Sequence, residues 1–139
     1  MENCDIMAKV GSIAFLVGIF IALVFGIWHA YTLESEAVPF FTTSEGGTVA
    51  WILAALGAII GFLTIMGKGT ITAKEVPVYL IAAIALVVMG GVFNNNAVFG
   101  LDPYLGSLFS GISLSLSIFV APTVGILSVV AIWAVGKDV

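Results

Sequence analysis

Few side chains in this sequence are equipped for chemistry, and their spacing keeps them apart. There is one cysteine, Cys4, and one histidine, His29. A nucleophile and its base must lie within hydrogen-bond reach. A helix through the apolar run that follows Lys9 puts Cys4 at one end and His29 near the other. A lone thiol also excludes an internal disulfide and a thiolate metal cage. No apolar stretch precedes Cys4 to make a lipoprotein signal, so it reads as an incidental thiol beside a membrane surface. His29 follows Trp28, which suits anchoring at a lipid–water interface. Glu34, Glu36 and Glu45 offer hard oxygen ligands to a cation such as Ca²⁺, but an acidic loop is read first as a solvated one. No phosphate-cradling glycine loop is present. The sequence predicts no enzyme, no cofactor and no metal site.

Transport chemistry is the stronger rival. Ion-coupled carriers keep an ionisable residue inside the membrane, where its cost marks function. None lies between the ends of any apolar run here. The small four-helix multidrug transporters, of similar size, carry an embedded glutamate in their first helix, and motifs of the small fluoride channels are also missing. Ser107, Ser110, Ser113, Ser115 and Ser117 offer hydroxyls for a polar path. Ser113 and Ser117 share a helical face but Ser115 points away, so no continuous lining follows; serine in such helices is commonly a small packing residue. Asn94–Asn96 reads as a helix stop, with a vestibule rim as the alternative.

The elements that position these residues follow from composition. Of 139 residues, 61% are hydrophobic and 9% charged, at a mean hydropathy of +1.24. A soluble domain keeps about a quarter of its residues charged; four lysines and eight carboxylates cannot cover this one. The net charge of −4 and the absence of arginine argue against nucleic acid as a partner. Charged residues divide the chain into four apolar runs at 10–31, 49–67, 76–93 and 111–135. About 20 helical residues cross a bilayer, so the expected fold is all-α: a single four-helix transmembrane domain over residues 1–139. The first run is too long for a signal-peptide core and lacks a cleavage site, so it is expected to remain as a span.

Lysine placement sets the expected orientation. Lys9, Lys68, Lys74 and Lys137 all fall on one side of a four-span chain, and Glu34, Glu36, Glu45 and Asp102 on the other. The positive-inside rule then puts both termini in the cytoplasm, for a multi-pass protein of the cell membrane. Each Trp and Tyr falls near a predicted interface, where an amphipathic ring is well placed. Thr72 and Glu75 have capping-box spacing ahead of the third helix. Asp102-Pro103 starts a helix well before the fourth span. This predicts a short interfacial helix near 103–109, a bend at Gly106 or Gly111, and a kink at Pro122. Pro39-Phe40-Phe41 is expected to fold back onto the lipid interface.

Small residues recur four apart: Ala14, Gly18, Ala22, Gly26 and Ala30 in the first span, and Ser113, Ser117, Ala121 and Gly125 in the fourth. A third such set, Ala50, Ala54 and Ala58, lies in the second span. In lipid, helices associate where small residues let backbones approach. Such ridges are read first as packing the bundle; the alternative is that one of them meets another subunit, with the first span as the candidate for that role.

The stretch from Ile71 to Leu86 (ITAKEVPVYLIAAIAL), with Phe119-Val-Ala-Pro122, resembles small four-helix archaeal membrane proteins of unknown function. The resemblance covers the C-terminal half and implies an archaeal cell membrane and a non-enzymatic role; it carries no site residue. The sequence as a whole predicts a protein that works by assembly, as a homo-oligomer or with other membrane subunits, among membrane lipids. The alternative is a small channel or transporter formed at a subunit interface.

Overall fold

The computed structural model describes residues 2–67, 71–72, 74–93 and 103–137. They form four helices, α1 (Glu2–Glu36), α2 (Ser44–Ile65), α3 (Val76–Phe93) and α4 (Pro103–Lys137), with a 3₁₀ turn at Phe40–Thr42. All four are long and apolar enough to cross a membrane. Their outer faces fit that setting: Phe20, Trp51, Ile81, Val87 and Ile132 are all more than half exposed. In water that surface would be costly; in hydrocarbon it is not.

α4 is the hub. It packs against α1, α2 and α3, while α1 and α2 also touch each other. α3 packs on α4 and reaches α1 through side chains, with the Tyr79 ring 6.4 Å from that of Phe15. Phe119 fills the centre at 1% exposure, surrounded by Ala22, Leu53, Ile60 and Val120. A buried hydrogen bond joins α4 to α2, from Thr123 Oγ1 to the Gly57 carbonyl at 2.6 Å.

Local chemistry sets the element ends. α1 stops at Glu36, where Ala37 turns the chain with φ of 55° and Pro39 follows. Thr43 caps α2, its Oγ1 accepting from the Gly46 amide at 3.1 Å. Ahead of α3, the Thr72 amide donates to Glu75 Oε2 at 2.9 Å, one arm of the expected capping box. That amide and the Thr72 hydroxyl hold the Glu75 carboxyl below the usual range.

Three expectations change. α4 is one helix from Pro103 through Gly106, Gly111 and Pro122 to Lys137, with no separate interfacial helix and no break. Both glycines are buried, and Gly111 lies against α1. Ser107 also donates to the Glu34 carboxylate, so the ends of α1 and α4 continue together past the apolar zone. Pro39–Phe41 folds onto the protein, not outward to lipid: Phe40 is buried and stacks on Phe25 at 5.9 Å. Finally, α1 and α2 begin earlier than the apolar runs, since a helix can continue through charged residues, while α4 starts at Pro103, where the Asp102-Pro103 signal puts it. Asn94–Asn96, Asp102 and Lys68 lie outside the described residues.

Candidate functional site

The ridge on α1 is turned inward. Gly18, Ala22, Gly26 and Ala30 are buried and Ala14 is half-buried. The Phe119 ring occupies the space a side chain at Gly18 would need. A Cβ on Gly26 would stand 2.7 Å from the Ile112 Cα. Gly111 of α4 closes the same contact from the other side, against the Gly26 carbonyl and Ala30. Two readings are open for this ridge, bundle packing and a subunit contact; the contacts of Gly18 and Gly26 are with α4 of the same chain.

The ridge on α4 behaves differently along its length. Ser113 is fully buried beside Gly90 of α3, and Ser117 is half-buried. Ala121 and Gly125 are exposed, and a Cβ on Gly125 would meet nothing within 4 Å. Residues four apart advance about 40° around a helix, so such a row winds from one face toward another. Ser115, on the opposite side of α4, is buried as well, because neighbours surround the hub. Neither the Ser113 nor the Ser115 hydroxyl has a hydrogen-bond partner among the described residues.

A second site emerges at the lysine-free end. The contact through Gly26 and Ala30 rotates His29 inward, to 5% exposure, so it does not anchor at the surface beside Trp28, which is exposed. The refolded Phe40–Phe41 segment supplies its partners. The Phe41 amide donates to His29 Nδ1 at 3.4 Å, and the two rings stack at 5.1 Å. With Nδ1 accepting, the proton of the neutral imidazole sits on Nε2.

His29 borders a cleft of about 470 Å³ where α1 and α3 diverge on either side of α4. Its polar edge is His29, Thr42, Ser110, Ser117 and the backbone at Gly90 and Gly91; Leu33, Phe41, Val87 and Leu114 supply the apolar wall. Thr42 already donates to the Pro39 carbonyl at 2.7 Å. No lysine or arginine occurs between residues 10 and 67 or between 75 and 136, so no cation of this chain lies in the segments that build this end. Among the described residues no three His, Cys, Asp or Glu side chains gather into a metal-holding group.

Sequence reasoning missed this cleft because it depends on the gap between two helices distant in the chain. One signal was available. His29 follows Ala22 by seven residues and Gly26 by three, which sets it on the small-residue face and not on the lipid face. Comparison with protein-family models, curated proteins and solved structures finds no match to this chain.

Proposed function

We propose that this chain is a multi-pass, non-enzymatic protein of the cell membrane, with both termini in the cytoplasm, that works by assembly with copies of itself or with other membrane subunits. The observation that carries the reading is the exposed pair Ala121 and Gly125 on α4, two small residues four apart, with open space above Gly125. Lipid-facing positions gain nothing from being small, whereas a second helix can approach closely there. The orientation rests on the lysines, all of which belong to one side of a four-span chain. The centre of the bundle is filled by Phe119, Leu53 and Ile60, so a conduction path, in the alternative channel reading, belongs between subunits.

The test is native mass spectrometry after gentle extraction. The wild-type chain is expected to emerge as an oligomer or with foreign subunits, and Gly125→Leu to release the monomer without unfolding it. A wild-type monomer alone, at membrane-like concentration, ends the assembly reading.

A further inference from the structure

We propose that the His29 cleft binds one membrane lipid through an uncharged oxygen at its glycerol level, with a hydrocarbon chain lying in the gap between α1 and α3. The site is built from an oriented donor and an apolar wall. The Phe41 amide and ring fix the His29 imidazole, which leaves Nε2–H as the group available to a ligand. Gly90 and Gly91 border the cleft on α3 and hold no side chain over it. A Cβ on Gly91 would meet nothing within 4 Å.

Depth and chemistry choose the occupant. Glu34 lies five residues beyond His29, about 7.5 Å along the helix, and is exposed and bonded to Ser107. The cleft therefore sits just inside the level where charge begins, which is where the glycerol esters or ethers of a bilayer lie. Water alone is a poor occupant, since each molecule needs two to four polar partners and much of this wall is apolar. A volume near 470 Å³ is that of an ordinary small-ligand site. An anion finds no lysine or arginine in the segments that build this end, while Glu34, Glu36 and Glu45 would repel it. A cation finds no carboxylate among the residues that line the cleft. A neutral oxygen attached to a hydrocarbon chain satisfies both the donor and the wall. The proposal shares the membrane setting with the assembly reading but not the subunit contact, and binding is read per chain whatever the oligomer.

The experiment titrates delipidated full-length protein in detergent with dioleoylglycerol or dioleoylphosphatidic acid, counting bound molecules by native mass spectrometry. Wild type is expected to hold one dioleoylglycerol and to prefer it to the phosphatidic acid. Gly91→Trp, which fills the cleft from a position that touches nothing, is expected to abolish that binding. His29→Phe keeps a ring to stack on Phe41 and is expected to weaken binding about tenfold, the equivalent of one neutral hydrogen bond. Equal binding by wild type and Gly91→Trp overturns the site. Unchanged binding by His29→Phe overturns its donor, and preference for the phosphatidic acid overturns the neutral-oxygen class.

Discussion

At the scale of single residues, polar groups matter here because so few are present. Glu75 is fully exposed and acts locally, holding the Thr72 amide at the entrance to α3. Its carboxyl is lowered by those Thr72 bonds, so the folded state favours the charged form. Its stabilising effect is complete above the ordinary carboxyl value and is lost as pH falls through the lowered one. Glu75→Ala should therefore melt below wild type at about pH 6, with the gap closing toward about pH 3, in thermal scans in detergent. Ser115 poses the opposite case, a fully buried hydroxyl without a partner among the described residues. Removing an unpaired polar group relieves its desolvation. Ser115→Ala is expected to leave stability unchanged or raise it by up to about 1 kcal/mol, and a loss of more than about 1 kcal/mol on detergent unfolding would reveal a bond the packing does not show.

At the scale of helices, α4 holds the bundle through three notches. Phe119 enters the space above Gly18, Gly111 meets Gly26, and the Phe119 carbonyl lies against Gly57. Since apolar contact alone gives helices little reason to associate in lipid, such close approach carries the packing. Gly18→Leu should displace the Phe119 ring and collapse the folded fraction, measured as loss of a cooperative melt. Gly125→Leu, over open space, should leave the melt of the single chain intact. The Thr123–Gly57 bond adds a polar tie between α4 and α2. Thr123→Val preserves shape but removes the donor and is expected to cost about 0.6–2 kcal/mol, while Thr123→Ser should retain most of it.

At the scale of the whole molecule, lengths and charges must agree with a bilayer. α1 and α4 each run 35 residues, about 52 Å, against a hydrocarbon thickness of about 30 Å. Tilt alone cannot absorb that excess, so their ends extend beyond the apolar zone, as the Ser107–Glu34 bond fits. The proposed orientation is tested with a membrane-impermeant maleimide on intact cells, in a Cys4→Ser background. Glu36→Cys should label from outside, and Lys137→Cys only after lysis. The reverse pattern inverts the orientation, and labelling of both from outside breaks the even span count.

The number and class of the helices were legible in the sequence because hydrophobic run length is a local property, read directly against bilayer thickness. The entrance to α3 was legible too, since Thr72 and Glu75 mark it locally, and the Thr72 amide does bond the Glu75 carboxylate ahead of the helix. Which face of each helix turns inward was a different matter. Gly18 and Gly125 look alike in sequence, yet one lies under Phe119 and the other against open space. Small residues permit contact without choosing the partner, and in lipid the apolar faces on either side are equivalent. The continuity of α4, the inward turn of His29 and the cleft beside it were settled only when α1 and α3 took their places on α4. Each depends on contacts between segments distant in the chain, which local periodicity does not encode.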